Sequence, residues 1–261
     1  MTITRHELRQ GRNAFLVWTF FIAFLLAICI IIFPEMKGEM AGVSKIFSAM
    51  GAFTAAFGMD RLDFGSLIGY YSIECGNVLG ICGALYAALC AVDILSKEER
   101  GKTAEFLLTH PVSRARILTE KLLAVFILIT AMNAVIYAVA VISMVMIGEE
   151  IPWKILNLMH LAYYLMQLEL GGICFGISAF LIRGSMGTGL GLAAILYFLN
   201  LIANISRSAR FIKYITPFGY CDGADISTSG KLNGVMIAIG AAICAAGIIA
   251  AYRKYCRKDI Q

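Results

Sequence analysis

The chain has 261 residues, of which 60% are apolar and 15% charged, and its net charge is +5. A water-soluble domain is roughly half apolar and about a quarter charged, and one this long still needs a large polar skin. A soluble enzyme, a disordered chain and a nucleic-acid binder are therefore excluded, and the cationic excess belongs to the loops on one side of a membrane.

The chain opens with Arg5, Arg9 and Arg12, followed by an apolar run over 14–33 that Pro34 and Glu35 stop. Crossing about 30 Å of hydrocarbon takes roughly 20 helical residues, so this run is a first span. It is too long for the apolar part of a signal peptide, and no small-residue cleavage site follows, so it reads as a retained anchor. A polar insert then reaches Cys75. Within it Val43, Ile46, Phe47, Met50 and Phe53 recur at three- and four-residue spacing. That spacing predicts an amphipathic helix over about 42–58, on or dipping into the outer surface; a seventh span is the other reading.

Further apolar runs cover about 76–95, 122–147, 161–182, 187–205 and 234–252. They lack the alternation of a barrel strand, and closed backbone hydrogen bonding then makes them helices. Six spans put both termini on one side. Lys and Arg number fourteen in the termini, the loop after span two and the loop after span four, against eight in the other loops. The positive-inside rule places both termini in the cytoplasm. The expected fold is an all-α integral membrane protein, a single domain over 1–261 with six spans, an amphipathic first outer loop and both ends inside.

The eight cysteines include no C-x-x-C pair, so zinc or redox chemistry has no support and packing is the plain reading. Cys75 and Cys221 both fall near the outer face, where a disulfide is open. In the last outer loop Arg207, Arg210 and Lys213 are either snorkelling cations or a grip on an anionic headgroup.

The segment from Leu95 to Lys121 is the informative one. Ser96 can cap a helix, Glu98 and Glu99 suit its first turn, Phe106, Leu107 and Leu108 form an apolar patch, and Pro111 ends it. A bare connector needs only about two to six residues. A short helix, acidic at its start and apolar at its end, instead suits docking against a soluble partner. Glu98, Glu99, Arg100, Gly101, Glu105, Phe106, Leu107, Leu108, Pro111, Val112, Ser113, Arg114 and Lys121 together form a pattern that resembles the ABC-2-type permease family. Family members commonly carry Thr-Leu-Glu where this chain has Lys-Thr-Ala-Glu at 102–105, which leaves the register intact. The resemblance extends to the six-span layout and the long first outer loop.

The resemblance implies that about 96–109 is a coupling helix seated in a cleft of an ATPase subunit, and that Thr4 to Arg12 is an elbow helix at the membrane surface. It also implies a dimer of permease subunits, identical or homologous, working with two ATPase copies, most often in export, and a cell membrane, bacterial in type. ATP and Mg would sit on the ATPase. This chain has no P-loop of its own: Gly101, Lys102 and Thr103 supply the tail of one, but Ser96 stands where the first glycine is needed. Neither H-E-x-x-H nor Gly-x-Ser-x-Gly occurs, and His6, His110 and His160 are scattered. No enzyme, metal or cofactor is expected in this chain.

Polar residues inside spans are the default pointers to a pathway. Glu169 and Gln167 in span four, with Asn200 and Asn204 in span five, are the substrate-path candidates; a helix–helix hydrogen-bond anchor is the plainer role for Glu169. An ATP-independent carrier using Glu169 is the alternative function. Glycines four apart, Gly76 and Gly80, Gly172 and Gly176, and Gly187 and Gly191, permit close helix approach, within one subunit or at a permease–permease seam.

Overall fold

The computed structural model describes residues 2–101, 112–181 and 186–257; for 39–49, 99 and 100 it describes the backbone alone. The described residues form helices and turns without strands, and six helices are long and apolar enough to cross a membrane.

Helix α1 spans Thr2–Ala49 without a break and carries Pro34 inside it. Two sequence expectations are corrected here. Thr4 to Arg12 is not a separate elbow; it forms the first turns of α1, because no breaker separates it from the span and its Thr4 and Glu7 are buried against the rest of the bundle. Pro34 does not stop the helix either. Proline removes one backbone donor and crowds the preceding turn, but α1 continues beyond it.

The single surface helix expected over about 42–58 is divided. Gly51, at φ 54°, ends the α1 direction, α2 covers only Ala52–Ala56, and Gly58 turns the chain again at φ 70°. These backbone angles favour glycine. Two residues of the expected apolar stripe, Met50 and Phe53, are exposed.

Span two starts earlier than its hydropathy. Helix α3, Leu67–Cys75, is capped by Ser66, whose hydroxyl accepts from the Gly69 amide at 3.2 Å. It runs through a π-helical segment, Gly76–Cys82, into α4, Gly83–Val92. Short α5, Ser96–Arg100, follows. Helix α6, Arg114–Met146, likewise begins two turns before the apolar run, with Ser113 accepting from the Arg116 amide at 3.3 Å. Next come α7, Trp153–Ser178, α8, Met186–Ile205, two 3-10 stretches, Arg207–Tyr214 and Pro217–Tyr220, α9, Gly223–Ser229, and α10, Gly234–Arg257.

Helix α7 is the centre, packed by α4, α6 and α10, while α1 lies along α6. Of the apolar window of α7, 67% is buried, against 22% in α8 and 11% in α10, so the last two turn most of their surface outward. Lacking an oil–water contrast in a bilayer, the helices are held by close shape fit. A Cβ at Gly176 would stand 2.7 Å from the Gly247 carbonyl of α10, and one at Gly172 would strike the Cys244 sulfur. Gly76 and Gly80 face Tyr163 of α7. Gly191 faces open space, so that glycine makes no seam within the chain. Cys75 and Cys221 are separate buried thiols, and the Cys221 Sγ faces the Ala162 carbonyl.

The ends of the bundle differ. The terminal end carries the start of α1, α5, the start of α6 and the end of α10; the distal end carries the turns over 51–61 and the loop between α8 and α10.

Candidate functional site

The site at the terminal end is built around Lys121. Its position on the first turns of α6 follows from the early start of that helix. The side chain is 1% exposed, yet all three ammonium donors are used. They reach Glu7 Oε1 of α1 at 2.6 Å, Glu98 Oε1 of α5 at 2.8 Å and the Ile94 carbonyl at 2.9 Å. The second oxygen of Glu7 pairs with Lys97, which also donates to Gln10 at 2.7 Å. A buried charge is tolerated only when it is paired and hydrogen-bonded, and here one cation ties three segments together.

Neighbouring contacts fix the same geometry. Glu120 accepts from the Ile3 and Thr4 amides at 3.0 and 3.2 Å, placing a carboxylate at the N-terminus of α1, where the helix dipole favours it. Arg116 holds the other Glu120 oxygen at 3.1 Å. The Ser96 hydroxyl donates to Asp93 at 2.8 Å, and the Lys97 amide bonds the Asp93 carbonyl. Arg114 donates to the Tyr255 carbonyl at 3.3 Å, which brings the end of α10 to the start of α6.

Of the sequence-designated docking residues, Glu98 and Arg114 thus have defined partners, Gly101 ends α5 in a turn, and Glu99 and Arg100 lie on α5. Glu105, Phe106, Leu107, Leu108 and Pro111 lie outside the described residues, as does most of the expected 96–109 helix. The hub itself, with Glu7 and Lys97, was missed as a cluster. The available signal was a lysine within an otherwise helical entry to a span, which needs a carboxylate partner from elsewhere.

The substrate-path candidates do not converge. Gln167 is fully buried, accepts from Asn133 at 2.7 Å and donates to the Leu79 carbonyl at 3.3 Å. That carbonyl belongs to the π segment, whose i→i+5 pattern disturbs the ordinary backbone ladder. Gln167 also lies against Gly83, where a Cβ would strike it. Glu169 faces the other way, over Gly240 of α10, with the Tyr220 hydroxyl as its polar neighbour. Asn200 and Asn204 line a separate small cavity with Asn77, Tyr163 and Tyr197, and Asn204 donates to the Ala56 carbonyl at 2.9 Å. His160 is buried, with its Nε2 2.7 Å from the Tyr71 hydroxyl.

The distal end has its own ion pairs. Arg61 bonds Asp222 at 3.0 Å and also Asp225, and Lys213 reaches Asp222 and Asp225 at 3.5 and 3.3 Å. Burial works against ionisation of Asp225, but Lys213 and Arg61 outweigh it and hold its carboxyl below the usual value. Lys213 is therefore engaged within the protein, while Arg207 and Arg210 are exposed.

Compared with family models, the chain matches the ABC-2 family transporter protein over residues 1–260. It belongs to that family. The chain is accordingly a multi-pass membrane permease subunit of an ABC transporter, a class that works with an ABC ATPase. No curated protein matches the permease in sequence.

Proposed function

We propose that this permease is the membrane half of an ATP-driven exporter in the cell membrane, with both termini cytoplasmic. Two copies of a separate ATPase bind ATP and Mg, and a second permease subunit, identical or homologous, completes the path. The permease itself carries out no hydrolysis. The 96–109 segment is the coupling helix.

The observation that carries this reading is the Lys121 hub. A coupling element must move the spans when a partner moves it. Here Glu98 on the docking segment, the Ile94 carbonyl just before it and Glu7 of α1 share the buried ammonium of Lys121, on the helix that forms span three. A displacement of α5 therefore cannot leave α1 and α6 where they are without breaking a buried ion pair. The coupling would then run through a named element that both sites bias.

Purification in mild detergent with mass spectrometry tests the partner: a stoichiometric P-loop ATPase is expected, and it should be lost in Phe106→Asp. Glu99→Arg should retain the fold while separating ATP hydrolysis from transport. Recovery of the permease alone at full yield, or normal transport in both variants, would remove the coupling assignment.

One observation favours a second reading, an ATP-independent carrier: the carboxyl of Glu169 buried within span four. Transport that survives loss of every nucleotide but fails in Glu169→Gln would select it.

A further inference from the structure

A cavity of about 1170 Å³ opens at the terminal end beneath the Lys121 hub, walled by α1, α4 and α6. We propose that it binds a zwitterionic, phospholipid-like amphiphile within a single permease subunit. This goes beyond the ATP-coupled reading, and the binding is expected without nucleotide.

Three features specify that chemistry. The mouth carries Glu7, Asp93 and Glu98 beside Lys97 and Lys121, with Gln10 among them. The Lys121 donors are already used, so a head group meets the less buried members, Lys97 and Glu98, 20% and 17% exposed; a head of one charge sign would meet a like charge there, and a head carrying both signs meets a complement to each. The inner wall is of another kind: Ala14, Trp18, Leu89 and Leu128 line it. Among them the buried Tyr86 hydroxyl has the weak Cys90 thiol as its side-chain partner. An ester or phosphate oxygen would be a stronger acceptor for that hydroxyl than a thiol. On α1, Glu7 and Trp18 are eleven residues apart, roughly 16 Å at the helical rise, enough for a head and the first part of a chain.

The setting supplies such molecules. Leu16, Val17 and Phe20, on either side of Trp18, are 55%, 67% and 70% exposed. That apolar face belongs against lipid, so the cavity adjoins the bilayer near its surface. The occupant can come from the surrounding leaflet or from the aqueous side; the recognition chemistry is the same.

The test is native mass spectrometry of the purified transporter released from dodecyl maltoside, before and after adding lysophosphatidylcholine. A phospholipid adduct in the untreated preparation identifies the leaflet as source; an adduct only after addition identifies the aqueous side. Either is expected to survive collisional activation at one per permease chain. Leu89→Trp and Ala14→Phe, which fill the inner wall, should each lower retention at least tenfold, while Ile31→Trp, on the exposed face, should not. Melting temperatures check that each variant is folded, and either filled variant alone suffices for the comparison. Monohexadecyl phosphate, with a chain but no cationic head group, should be retained at least tenfold less. No retained adduct, retention unchanged in the folded filled variants, or equal retention of monohexadecyl phosphate overturns the proposal.

Discussion

The terminal and distal ends are each fastened by ion pairs between segments far apart in sequence, but the two fastenings differ in kind. At the terminal end Lys121 and Glu7 are 1% and 4% exposed. At the distal end Asp222 is 4% exposed, but its partner Arg61 is 36% exposed and Asp225 is 50% exposed. Charge in water is screened and contributes little; charge held away from water has no substitute partner when one is removed. The terminal end is thus held by electrostatics with no tolerance for loss. The distal end is held more by backbone fit, with Lys213 and Asp222 shielded and Arg61 and Asp225 at the solvated edge.

The strongest way to break this contrast is at the hub. Lys121→Met removes the buried cation that Glu7 and Glu98 share and should destabilise the permease by about 3–5 kcal/mol, read as a fall in melting temperature. A double variant, Lys121→Met with Glu7→Gln, should recover part of that loss, which a simple packing defect would not. A drop no larger than that for a surface pair would erase the distinction between the ends.

The next effect should come from shape at the distal end. Gly58 sits at φ 70°, and a Cβ there would stand 2.8 Å from the Ala224 Cβ. Gly58→Ala combines an unfavourable backbone with overpacking and should cost about 1–3 kcal/mol. Arg61→Met removes three ion pairs, to Asp60, Asp222 and Asp225, but leaves Lys213 on Asp222 and Asp225, so a loss near 1 kcal/mol is expected. Chemical denaturation of both variants checks the order; an Arg61→Met loss exceeding that of Gly58→Ala would show that charge, not fit, fastens this end.

The smallest effect concerns acid. Asp225 is held below its ordinary pKa by Lys213 and Arg61 against the opposing effect of burial. A depressed carboxyl contributes stability that is full above the unfolded value, about 3.9, and is lost as pH falls through the lower folded value. Asp225→Asn should therefore reduce stability by at most about 1 kcal/mol at neutral pH. Its melting temperature should converge on that of the parent as pH falls through that window. A difference that widens toward acid would reverse the sign of the assigned interaction.

Hydropathy alone was enough to reveal the six spans, because a bilayer demands a long apolar helix and little else in this chain is long and apolar. Their ends were less legible. Spans two and three begin at Leu67 and Arg114, ahead of their apolar runs, since Ser66 and Ser113 cap them and polar residues in their early turns, Tyr71 and Ser72 in one and Lys121 in the other, find partners on other helices. Pro34 read as a stop, although a single proline need not end a helix packed along its length. The polar residues of spans four and five were legible as exceptional but not in their directions. Gln167 turns toward the π segment, Glu169 toward α10, and Asn200 and Asn204 toward the distal cavity, because residues two apart on a helix lie on different faces.

The sequence by itself determined that this is a six-span helical permease with a charged docking segment, because composition, span length and the loop pattern are local properties. Only the tertiary structure decided that Glu7, Lys97, Glu98 and Lys121 form one cluster. Their positions run from the first turns of α1 to the first turns of α6, and a buried charge selects its partner by proximity in the folded bundle, not by spacing along the chain.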